Sequence, residues 1–139
     1  MRLGQTKQED RSRALSYQAI ARSLLETARG LDTIAEPRYG NGPGIISVHA
    51  AIAYTDALTI AYRGVKSVDG DHTRAAEVLV HALGQRADQT QVRRLKRVLN
   101  SKSEVSYGGT YYTLQEGRDL FSDVNRYGDW AEEMLLSRP

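Results

Sequence analysis

The stretch IISVHAAIAYTDALTIAY, Ile45 to Tyr62, limits the fold more than any other part of the chain. It is apolar on most sides when wound as a helix, here running from about Ile45 to Arg63. Such a helix is stable in water only at the centre of a bundle or under a partner chain. Alanines at 50, 51, 53, 57 and 61 let neighbouring helices approach closely. No proline interrupts the chain from Gly44 to Arg138, and the apolar pattern there is helical nearly throughout.

The flanking segments supply the covering helices. A first helix is expected from Glu9 or Asp10 to about Leu31, with a stripe of Ala14, Tyr17, Ala21, Leu24, Ala28 and Leu31 widened by Ile20 and Leu25. Glu36 to Gly44 holds both interior prolines and three glycines and reads as a loop. After the Gly64–Gly70 connection a third helix starts behind Asp69 or Asp71, carries Ala75, Ala76, Leu79, Val80 and Leu83, and stops near Gly84. Asp88 caps a fourth helix with the stripe Val92, Leu95, Val98 and Leu99, and Gln91 stands in the capping-box position. Thr113 and Glu116 form a second capping box before a last helix from Leu114 to about Leu135. The alternative for VSYGGTYYT is a small hairpin around Gly108 and Gly109. The expected fold is all-α: an antiparallel up-and-down bundle of about five helices. It forms one domain over 1–139, with residues 1–8 as a flexible tail.

The chain has 139 residues, enough for one real core. Nineteen basic and 17 acidic residues leave a formal charge of +2, too balanced to argue for nucleic acid or membrane by charge alone. There is no cysteine, which excludes disulfides and cysteine-based metal sites or catalysis and fits a cytoplasmic protein. No apolar run reaches the roughly 18 residues of a membrane span, and MRLGQTKQEDRSRA lacks the apolar core of a signal peptide. No membrane association and no cofactor are expected.

Several side chains could carry chemistry. His49 falls in the most apolar helix, where a core or interface histidine with one hydrogen-bond partner is the ordinary expectation. Asp56, two turns on, needs a partner or its pKa rises. It either pairs with an arginine or tyrosine of another helix, or marks with His49 a buried polar pocket that Tyr54 and Tyr62 could line. His72 follows Asp71 at a helix start, and His81 is spaced to pair with Glu77. The histidine spacings do not make a helical zinc site, so no metal is expected. The basic run Arg93, Arg94, Lys96, Arg97 and Lys102 is either a solvated face or a phosphate contact. In the second case Tyr107, Tyr111 and Tyr112 are possible base-stacking rings.

Three stretches together resemble the HEPN superfamily, the higher eukaryote and prokaryote nucleotide-binding bundles: HAAIAYTDALTIAYRG, SVDGDHTRAAEVL and LKRVLNSKSEVSYGGTYYTLQEGRDLFSDVNRYGDWAEEML. The resemblance covers about two thirds of the chain. In the superfamily's ribonucleases, an arginine followed closely by a histidine at the joint before the last helix contacts RNA and assists attack of the 2′-hydroxyl. Dimerisation there builds the cleft. On that alignment Lys102 takes the arginine place and Tyr107 the histidine place, with SEVS between them. Lysine binds phosphate as a point charge without the bidentate fork, and tyrosine is a poor acid–base group at neutral pH.

The resemblance therefore implies a non-catalytic, homodimeric bundle that binds nucleotide or RNA through Arg93, Arg97, Lys102, Tyr107 and Tyr111. A protein such as a minimal nucleotidyltransferase is the implied partner, in a toxin–antitoxin or stress module. One alternative is a metal-independent endoribonuclease using Lys102 and Tyr107, or Arg74 and His81, which formally match the spacing but share one helix. The other is a purely structural adaptor.

Overall fold

The computed structural model describes residues 5–34, 39–68 and 72–139. Five helices carry the fold: α1 (Arg13–Ile34), α2 (Asn41–Arg63), α3 (Arg74–Leu83), α4 (Gln89–Ser106) and α5 (Leu114–Leu136). A 3-10 turn, Gly84–Arg86, links α3 to α4. Two short strands, β1 (Thr6–Gln8) and β2 (Val65–Ser67), pair antiparallel with Lys7 opposite Lys66. The chain is thus an all-α bundle of five helices with one small ribbon.

Helix α2 is the axis. Val48, Ala50, Ala51, Ala57, Leu58 and Ile60 are fully enclosed, and α1, α3, α4 and α5 all pack on it. By length and composition it could cross a membrane, yet most of its apolar stretch is buried inside the bundle. Most of its apolar surface is thus covered within one chain, as a central helix requires. Trp130 of α5 is half-buried and packs on Tyr127 with ring centroids 5.6 Å apart.

Side-chain bonds fix the helix directions. Gln18 and Arg22 of α1 reach Glu132 of α5, while Arg29 reaches Asn125, so α1 and α5 run antiparallel. Thr55 meets Tyr127 and Tyr62 meets the Met134 carbonyl, so α2 and α5 run parallel. Glu132 is a hub: it accepts from Gln18 at 2.7 Å, Arg22 at 2.6 and 2.8 Å, and Tyr54 at 2.8 Å. Burial pushes its carboxyl up, but the bonds from Arg22, Tyr54 and Gln18 outweigh that and leave it below the usual glutamate range.

Several local expectations are met and others corrected. Asp88 caps α4 through the N–H groups of Thr90 and Gln91, while the Gln91 side chain accepts from Arg94. Thr113 and Glu116 form the full reciprocal box at the start of α5. Helix α2 starts at Asn41, earlier than expected, because Pro43 lies in its first turn, where the missing N–H is harmless. The joint after α4 is not a hairpin, since α4 continues to Ser106. The expected flexible tail contains β1, and Glu9 N–H donates to the Gly64 carbonyl at 2.8 Å beside it. Asp69 and Asp71, the expected caps of α3, lie outside the described residues.

Candidate functional site at the joint of the last two helices

The joint is rigidly built. The C-terminal end of α4 makes two reverse bonds, from Tyr107 and Gly108 N–H to the Ser103 carbonyl. Gly109 then takes a left-handed φ of 72°, a conformation glycine adopts at little cost. Residues 39–41 cross directly over the segment that follows. Gly40 N–H donates to the Tyr112 carbonyl at 2.9 Å. Asn41 Nδ2 donates to the carbonyls of Val105 and Thr110, both at 2.9 Å, and its Oδ1 accepts from Tyr112 N–H at 2.8 Å. The crossing is too close for side chains: a Cβ on Gly40 would sit 1.7 Å from the Thr113 carbonyl oxygen, and one on Gly117 would sit 2.5 Å from the Gly40 oxygen.

On this scaffold Lys102 Nζ lies 5.4 Å from the centre of the Tyr107 ring, a cation–π pair. Tyr107 is 78% exposed and Tyr111 is 54% exposed. Tyr112 turns inward and donates its hydroxyl to Glu104 at 3.0 Å; burial, then this bond, raises its pKa. His49 is exposed near the N-terminal end of α2. Desolvation first and the Lys102 charge second hold its imidazole below the ordinary histidine pKa. The expected buried pocket shared by His49 and Asp56 is therefore corrected: His49 faces the Lys102 side, and Asp56 is enclosed two turns away. The helix pattern alone could not tell these apart, because positions 49 and 56 lie on one face of α2.

The other candidates separate. Asp56 is 7% exposed, and among the described residues it pairs with neither an arginine nor a tyrosine; Lys66 of β2 stands 3.9 Å from it. Tyr54 and Tyr62 bond to Glu132 and the Met134 carbonyl instead of lining a pocket with Asp56. Arg74 bonds to Glu77 at 3.2 Å. His81 does not take up Glu77 and accepts from Arg63 of α2 at 3.1 Å. Arg74 and His81 are thus drawn to different partners and do not converge. Arg94 and Arg97 both turn to Asp123 of α5, at 3.6 and 3.4 Å, while Arg93 is exposed. Arg97 lines an open groove of about 280 Å³ with Ser101, Tyr112, Glu116 and Asp119. Among the described residues no group of three His, Asp or Glu side chains is placed to hold a metal.

Tyr39, absent from the sequence-based candidates, is 51% exposed at the same end of the bundle. Its signal was weak: a lone tyrosine beside Gly40 in a proline-bearing loop. Comparison with protein families, curated proteins and solved structures gives no match.

Proposed function

We propose that the chain is a HEPN-like, non-catalytic bundle that binds nucleotide or RNA at the α4–α5 joint. The observation that supports this reading is the Lys102 ammonium set over the largely exposed Tyr107 ring. A positive charge that meets phosphate, beside a ring that stacks on any base, is the minimal equipment for unpaired nucleic acid. Tyr111 supplies a further ring, and Arg93 an outlying charge. Lys102 and Tyr107 meet as cation and ring face, an arrangement suited to holding a ligand and not to passing a proton.

Arg97 contributes less, because Asp123 already holds it. Following the resemblance, the bundle would act as a homodimer beside a nucleotidyltransferase-like protein in a toxin–antitoxin or stress module.

The test is fluorescence anisotropy of labelled single-stranded RNA with the full chain, chelator present, and a gel of the same RNA. The expected result is salt-sensitive binding without cleavage, weakened about fivefold or more by Lys102→Ala and by Tyr107→Ala. Binding unaltered by both changes refutes the site. Cleavage abolished by either change would make the protein a metal-independent endoribonuclease.

A further inference from the structure

Strand β2 lies against a buried carboxylate. Its Lys66 side chain folds inward, only 22% exposed, and sets its ammonium 3.9 Å from Asp56 of α2. The Tyr17 ring of α1 lies 5.7 Å from the same ammonium. From α5 the Tyr127 hydroxyl bonds to Thr55, and burial keeps it protonated. On α3, Arg74 pairs with Glu77, and His81 accepts from Arg63. Among the described residues, Lys66 is therefore the charge that acts on Asp56.

Little else holds the ribbon down. Among the described elements β1 packs on β2 alone, while β2 packs on α2 and α3. Lys66 stands directly opposite Lys7 in the antiparallel register, and like charges at opposed positions weaken a pair of strands. Lys7 finds Glu9 at 3.0 Å; Lys66 has Asp56. The Lys66 charge favours the ionised form of Asp56, so by reciprocity the ionised form favours Lys66 in place.

We propose that Asp56 and Lys66 form a pH-operated latch: ionised Asp56 draws Lys66 in and holds the β1–β2 ribbon on the bundle, and a proton on Asp56 releases it. Asp56 sits in the middle of the helix on which α1, α3, α4 and α5 all pack, so its burial persists when the ribbon lifts. With Lys66 in place the carboxyl titrates at about 7, and withdrawal of the ammonium raises it further. The docked form has the lower pKa, so the latch is set above about pH 7 and is lost as pH falls through that value. Global unfolding frees Asp56 from burial altogether, and there ionisation works in the opposite sense. The two processes are separable by sign.

The experiment uses the full chain. The Glu9 and Val68 amides donate to the Gly64 and Gln5 carbonyls at 2.8 and 2.9 Å and report ribbon closure. Their exchange is followed by NMR from pH 5 to pH 8 and corrected for the intrinsic pH dependence of exchange. Protection is expected to rise about fivefold or more across that range. Asp56→Asn and Lys66→Met should each abolish the rise. Lys66→Met should also raise the titration midpoint of Asp56, read from the shift of its carboxyl carbon. Protection that stays flat or falls with pH in the parent overturns the latch, as does a rise that survives Asp56→Asn. A rise shared by the α2 amides would mark global stability and overturn it too. An Asp56 midpoint unmoved or lowered by Lys66→Met overturns it independently of the ribbon amides.

Discussion

Asp56 makes the chain's stability depend on pH in the direction opposite to most carboxylates. It is buried in mid-helix among apolar neighbours and faces Lys66 of β2 at 3.9 Å. Lys66 itself lies 5.7 Å from the Tyr17 ring centre. On the α5 side, the Tyr127 hydroxyl, bonded to Thr55 at 2.7 Å, is also close enough to feel the Asp56 charge. Burial pushes the Asp56 carboxyl up from 3.8 to about 7, and Lys66 only partly offsets it. Between those values the folded chain keeps a proton that the unfolded chain has lost. Stability from this group is therefore full below about pH 4 and falls as pH rises toward 7. At about 1.36 kcal/mol per pKa unit, the loss is at most about 4 kcal/mol.

Asp56→Asn stays neutral and abolishes the dependence. Urea unfolding of both proteins from pH 4 to pH 8 checks this. The variant should match the parent at low pH and exceed it progressively above, by up to about 4 kcal/mol. Using the difference cancels Glu132, whose lowered pKa works in the opposite sense. Two parallel stability curves, or a parent that gains on the variant as pH rises, would refute the reasoning. The second result would mean that the Lys66 pair outweighs desolvation.

Two further predictions concern contacts between helices, one at the joint and one away from it. Gly117→Ala forces a methyl group against the Gly40 backbone; it should cost about 2 kcal/mol or more, as overpacking does, and weaken RNA binding by parting the seam, read by urea unfolding and anisotropy together. Glu132→Ala strips the partner from Gln18, Arg22 and buried Tyr54; thermal unfolding should show a loss of about 2–4 kcal/mol, with RNA affinity unchanged because the hub lies away from the joint.

The helices were legible because their signals are local. Alanine-rich α2 had to be central or covered by a partner chain, Asp88 and the Thr113–Glu116 box sit at the starts of their helices, and no proline breaks the pattern after Gly44. The ribbon was not legible: Thr6–Gln8 and Val65–Ser67 are short and polar, and pair only because α1 and α2 bring them side by side. At the site, Lys102, Tyr107 and Tyr111 stood out as a basic run followed by tyrosines. Tyr39 did not, and His49 was read into a buried pocket with Asp56, because their positions follow from how α2 packs on α4 and how Asn41 bonds across the joint. His81 and Asp56 went to Arg63 and Lys66, partners no spacing rule within one helix could supply.

The ribbon also orders events in time. Its two strands lie on either side of the whole α1–α2 hairpin in sequence, so β1 can meet β2 only after that hairpin has docked. With β1 exposed, β2 only partly covered and few apolar side chains in either, the ribbon closes late in folding and opens early. The amides of residues 5–9 should thus exchange with solvent well before those of α2, and β1 works as a reporter of whether the hairpin beneath it is intact.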